Sequence, residues 1–289
     1  MMTKLNHVAK IKMRLPSSAI VMIISLLLVS ASELLAGVLV APTVVFLSEN
    51  SRTGRITIQN PTNLPKDVTV GFSFGLPSSD SLGDVYLTLQ DSNVTDPRSA
   101  LGWVKAFPRK VVIPANGSQV VRIVAYPPPS LADGEYWARI VVAAQEGETT
   151  IPASDQAGSI STRLNMVTQT AIVLKYRTGA LLSDLELRGA SVKTTASQVW
   201  VTVDLDNRGN VSYVGVLNCR LLDSNNSEIS SNQIDLAVYR SLKRRIALPI
   251  KDNKRPRQVE LTIGNEGRTD IAPEDVIPGN KISYSLKIE

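Results

Sequence analysis

The chain has 289 residues, with 31 Lys and Arg against 26 Asp and Glu, one histidine and one cysteine. Four of the bases, Lys4, Lys10, Lys12 and Arg14, precede residue 31 and no acid does, so the remainder holds 27 bases against 26 acids. That balance leaves no basic stripe of the kind that binds nucleic acid. A lone Cys219 excludes an intramolecular disulfide, and the only histidine, His7, stands in the first few residues, which excludes a Ser-His-Asp relay, a Cys-His pair or a His-liganded zinc further on.

The basic start, the largely apolar run 19–29 and the small residues Ser30, Ala31 and Ser32 read as a secretory signal, with cleavage expected after Ala31 and Ala36 as the second choice. An uncleaved anchor would have to bury Glu33. Beyond it, Val-, Ile- and Thr-rich segments recur at spacings of about ten residues, with Gly, Asn, Asp and Pro between them. Strands are expected over 38–46, 55–59, 67–74, a short edge strand at 85–89, then 108–113, 118–125 and 135–144. Pro114-Ala115-Asn116-Gly117 is read as a hairpin turn between two of them.

Residues 145–159 turn polar and small and read as a loop. The stretch 160–177 is one long extended segment. Strand side chains repeat every two residues, so Leu164, Met166, Thr168, Thr170, Ile172, Leu174 and Tyr176 share one face. Further strands are expected over 181–187, 199–205, 211–222, 234–239, 242–250, 259–263 and 282–288. The fold class that follows is all-β: two tandem immunoglobulin-like β-sandwich domains, 32–178 and 179–289, after an N-terminal signal peptide, 1–31.

Little here supports catalysis. Cys219 lies in an apolar strand, where a cysteine packs. The acids fall mostly in expected turns, with no pair set around an aromatic cleft as glycoside hydrolysis needs. Asp204 to Gly209 starts like a calcium loop, but Arg208 stands where an oxygen ligand is required. The expectation is a non-enzyme with no cofactor, metal or small-molecule substrate, and with Trp103, Trp137 and Trp200 as packing residues.

One constellation points to a function. Val44-Val45-Phe46, Arg55 to Asn60 with Leu64-Pro65, Phe107-Pro108 with Val111 to Ile123, Glu135 to Ile140 and Leu174-Lys175-Tyr176-Arg177 follow one another in an order and spacing that resembles the periplasmic pilus (fimbrial) assembly chaperones, the PapD-like family. The resemblance spans about residues 37 to 178 and marks a divergent member.

It implies a periplasmic chaperone-like protein that binds pilus or surface-fibre subunits by β-strand donation, with an outer-membrane usher as a further partner. The matching client-binding positions are Leu164, Met166 and Thr168. Burying the Leu and Met contributes on the order of 3–6 kcal/mol before association costs, while Thr168 fills a pocket poorly. The family's two basic anchors, which hold a subunit's terminal carboxylate between the domains, fall on Thr43 and Val173. Shifting the register by two residues brings in Lys175, with Arg177 near, so Lys175, Arg177 and Thr43 are the anchor candidates. The alternative is a structural or adhesive cell-surface protein made of tandem β-sandwiches, which the uncharged anchor positions favour.

Overall fold

The computed structural model describes residues 37–91, 94–147, 166–251 and 254–288. The expected signal and Leu164 lie outside the described residues. Two β-sandwiches follow one another. In the first, one sheet has the order β1 (Leu39–Ala41), β3 (Thr53–Gln59), β9 (Ser118–Ala125), β7 (Val104–Phe107). The facing sheet runs β2 (Val44–Ser48), β11 (Val167–Thr178), β10 (Gly134–Glu146), β4 (Lys66–Ser73), β8 (Lys110–Ile113). A hairpin of β5 (Pro77–Ser79) and β6 (Val85–Leu87) leaves the end of β4.

Alternation explains the layers: Ile56, Ile58, Val121 and Ile123 from one sheet meet Val68, Val70, Ile140, Val142, Leu174 and Tyr176 from the other in one buried core. Trp103 closes it with its ring edge on Tyr176, 5.0 Å between centroids.

The second sandwich packs β12 (Leu185–Thr194), β13 (Gln198–Asn207) and β16 (Ser241–Pro249) against β15 (Glu228–Val238), β14 (Tyr213–Leu222), β17 (Gln258–Gly264) and β18 (Ile282–Lys287). Cys219 is fully buried in its core. Burial pushes the thiol up to about 12, which fits a packing residue. Among the described residues no cluster of His, Cys, Asp or Glu could hold a metal ion, and no helix is long and apolar enough to cross a membrane.

Several expected strands differ. The segment 38–46 is two strands: β1 pairs with β3, and after the bend at Pro42 and Thr43 the chain joins the opposite sheet as β2. The 114–117 turn is no hairpin. It carries the chain from β8 in one sheet to β9 in the other, and it docks on the 60–65 turn, with the Asn60 amide donating to the Ile113 and Pro114 carbonyls at 3.2 and 3.0 Å. β12 lies later than 181–187, β15 starts at Glu228 and so earlier than the expected 234, and β5 and β7 were not expected.

Candidate functional site: an open strand edge and the joint between sandwiches

β11 runs the length of the first sandwich and has two different environments. Along one side it pairs with β10 throughout, from Val167 opposite Gln145 to Thr178 opposite Gly134. Along the other side β2 pairs in parallel with only its second half, Val173 to Arg177. The first half, 167–172, has no ladder partner on that side among the described residues, because β1 has gone to the opposite sheet. The Val173 N–H donates to the Thr43 carbonyl at 3.0 Å on the β2 side. Backbone groups alternate sides along a strand, so Val167, Gln169 and Ala171 aim their N–H and C=O at the open side.

Side chains follow the expected parity. Ile172, Leu174 and Tyr176 are buried in the core, Thr168 and Thr170 are half-buried, and Met166, just before the strand, is 59% exposed. Gly37 lies beside Thr168, since a Cβ there would sit 3.2 Å from the Thr168 methyl. Thr43 is exposed and uncharged, and its carbonyl is the acceptor already described.

Three outer strands of the second sandwich, β12, β15 and β16, are closed by local devices. β12 carries a bulge between Leu187 and Gly189, along with Arg188 and Lys193. On β15, Ser230 Oγ and the Asn232 amide donate to the Pro249 and Ala247 carbonyls of β16, at 2.7 and 2.9 Å. β16 is strapped by the β5–β6 hairpin: Lys243 N–H donates to Ser79 Oγ at 2.8 Å, Arg245 N–H to the Gly83 carbonyl at 3.2 Å, and the Arg245 guanidinium grips Asp84. Gly83 is at φ +92°, and a Cβ there would meet the Arg245 nitrogen at 2.9 Å, so the strap's close approach needs glycine.

At its other end β11 enters the joint between the sandwiches. Lys175 and Arg177 point to the outer face of their sheet, and the second sandwich covers them there. Glu135, opposite Arg177 across the β10–β11 ladder, is fully buried between them. Arg177 Nε lies 2.9 Å from Glu135 Oε2 and Lys175 Nζ 3.4 Å from Oε1. Trp137 Nε1 donates to Oε1 at 2.7 Å, Ser212 adds its N–H at 3.3 Å and its hydroxyl, and Lys175 donates to that hydroxyl at 2.5 Å.

Burial, the largest influence on Glu135, raises its pKa. Lys175 and Arg177, with Ser212 and Trp137, outweigh that and hold the carboxyl below the usual carboxylate range. Around the cluster, Phe46 lies under Arg177, with the guanidinium 4.4 Å from the ring centroid, and Trp137 meets Tyr239 edge-on at 5.1 Å. Gly134, at φ +130°, lets the second sandwich approach: a Cβ would be 2.5 Å from the Asn210 carbonyl.

Sequence reasoning brought Lys175 and Arg177 to the cleft but missed Glu135 and Ser212. A glutamate opening the apolar strand Tyr136-Trp137-Ala138 was the available signal for Glu135. Nothing in the local sequence marks Ser212, whose role depends on how the two sandwiches meet.

No family model matches the chain, and no curated protein matches it. Among solved structures it is similar to the YadV chaperone, at 15% identity over 87% of this chain and 99% of that one, with a TM-score of 0.42. The CsuC–CsuE chaperone–tip adhesion subunit pre-assembly complex from the archaic chaperone-usher Csu pili of Acinetobacter baumannii gives 13% identity over 86% and 98%, with a TM-score of 0.42. The Salmonella enterica SafA pilin in complex with the SafB chaperone gives 14% over 86% and 96%, with a TM-score of 0.40. Likeness at these values assigns no function to this chain.

Proposed function

We propose that this protein is a periplasmic chaperone of a pilus or related surface-fibre system that holds fibre subunits by lending them the open edge of β11. The observation that carries the reading is the stretch 167–172, Val-Thr-Gln-Thr-Ala-Ile, which among the described residues is laddered on one side only. It holds no charge, proline or bulge, the devices that keep an outer strand from pairing. Three outer strands of the second sandwich, β12, β15 and β16, carry such devices or are bridged and strapped. An extended segment of a partner would add to β11 as a further strand, with main-chain bonds giving affinity and Met166, Thr168 and, upstream, Leu164 offering the alternating side chains. The order of matching segments from Val44 to Arg177 supports the same reading, and the usher belongs to it as a further partner. The chain acts by binding, with no reaction assigned to it.

The test separates backbone pairing from side-chain stickiness. Gln169→Pro removes an N–H aimed at the open side and should abolish co-purification of fibre subunits from the periplasm while the protein stays folded. Met166→Asp should weaken the same capture. Undiminished capture by both variants would reject strand donation at this edge.

A further inference from the structure

We infer that the β5–β6 hairpin is a detachable cover over the edge of β16, held there by ion pairs, so that rising ionic strength lifts it and bares the Lys243 and Arg245 amides while both sandwiches stay folded. The inference rests on the fold alone and is independent of strand donation at β11.

The covered edge is one that the second sandwich closes only in part. Odd-numbered residues of β16 direct their backbone groups away from β13. The Ala247 and Pro249 carbonyls are met from within the second sandwich, by Asn232 and Ser230 of β15. Among the described residues, the Lys243 and Arg245 N–H groups are met from the first sandwich instead, by Ser79 Oγ at 2.8 Å and the Gly83 carbonyl at 3.2 Å. These two bonds make no ladder: β5 pairs with β6 and with no strand of the second sandwich.

What holds the hairpin on β16 is polar and open to solvent. The Arg245 guanidinium donates to both Asp84 oxygens, at 2.7 and 2.5 Å, and the two side chains are 30 and 53% exposed. Just beyond the hairpin Arg240 donates to Asp96 at 2.6 Å. Among the described residues, none of 77–89 belongs to an apolar core cluster, and Leu82, Val85, Tyr86, Leu87 and Leu89 are 37–60% exposed. Attachment therefore draws little on apolar burial, and exposed ion pairs are the contacts that salt weakens most.

The hairpin is also built to lift as a unit. Its tip is bonded within itself: Asp80 N–H donates to the Asp84 carbonyl, Gly83 N–H to the Asp80 carbonyl, and the Asp80 carboxylate accepts the Leu82 and Asp84 N–H groups, both at 2.9 Å. Its root stays fixed, because Phe74 and Gln90 exchange both backbone bonds at 2.8 Å and Phe74 packs with Trp137 and Tyr239. Arg245 is not stranded by the loss of Asp84, since its guanidinium already lies 4.7 Å from the Trp200 ring centroid.

Amide exchange in the full protein, followed by NMR, tests this as ionic strength rises from about 0.01 to 1 M, over which the screening length falls from about 30 to 3 Å. Relative to Arg244 and Ile246, whose N–H groups face β13, Lys243 and Arg245 should exchange about three- to tenfold faster at high salt. Asp84→Asn should bring that faster exchange at low salt and remove most of the salt dependence. Gly83→Ala, whose Cβ would meet the Arg245 nitrogen at 2.9 Å, should speed the same two amides with the charges intact. Lys243 and Arg245 amides that ignore salt, or that quicken only together with Arg244 and Ile246, would overturn the inference. The wild type alone decides between these outcomes, so a variant that fails to fold leaves the test whole.

Discussion

The two halves of β11 are built from the same alternation and meet opposite fates. Residues 173–177 have β2 on one side and β10 on the other, their inward side chains fill the core, and their outward cations close on Glu135 beneath the second sandwich. Among the described residues, 167–172 have β10 alone, and their exposure rises toward Met166. The difference arises outside β11, in the bend at Pro42 and Thr43, where the chain changes sheets, so that β1 ladders with β3 and not with the first half of β11. A single strand is thereby fixed at one end and, in the proposed function, serves as a pairing template at the other. The anchored end supplies the rigidity that a one-sided strand cannot supply for itself.

The largest break in this contrast is predicted at the anchored end. Glu135→Ala leaves a buried lysine without its partner and should cost about 3–5 kcal/mol, measured by chemical denaturation. Met166→Asp, at the exposed end, should stay within about 0.5 kcal/mol of wild type. Leu174→Ala empties fully buried volume and should cost about 2–5 kcal/mol. A Thr170→Ala change on the same face of the open half should cost less.

Proline pairs sharpen the comparison within the open half. Thr168→Pro removes an N–H directed at β10 and should cost about 1–3 kcal/mol, whereas Gln169→Pro, one residue on, should cost less because its N–H has no ladder partner to lose. Equal costs would mean that the open side is paired after all.

Acid should act on the anchored end alone. The Glu135 carboxyl is held below its ordinary range, so its contribution is full above the unfolded carboxylate value and is lost as pH falls toward the depressed folded value. The fluorescence of Trp137, which donates to Glu135, should hold through the usual carboxylate range and change only below it. The smallest effect is a null. Cys219, with its thiol pushed up to about 12, should not react with a thiol reagent in the native state, so any labelling reports opening of the second core and not of the β11 edge.

The sequence made the faces legible and left the partners hidden. Alternation placed Ile172, Leu174 and Tyr176 on one face with Met166 and Thr168, and burial follows that parity from Thr168 to Leu174. A period of two says which way a side chain points but not which strand lies alongside. For that reason 38–46 read as one strand although its halves pair in opposite sheets, and the Pro114–Gly117 turn read as a hairpin although it crosses the sandwich. Glu135 stayed hidden for the same reason: its pairing with Arg177 is a matter of register between residues far apart in the chain.

Amide hydrogen exchange along β11, in the free protein and with a captured fibre subunit, tests most directly whether its first half is an unpaired edge. Gln169 and Ala171 should exchange much faster than Val173 and Lys175 in the free protein, and should become protected when the subunit is bound. Slow exchange at Gln169 and Ala171 in the free protein, or no added protection on binding, would contradict strand donation.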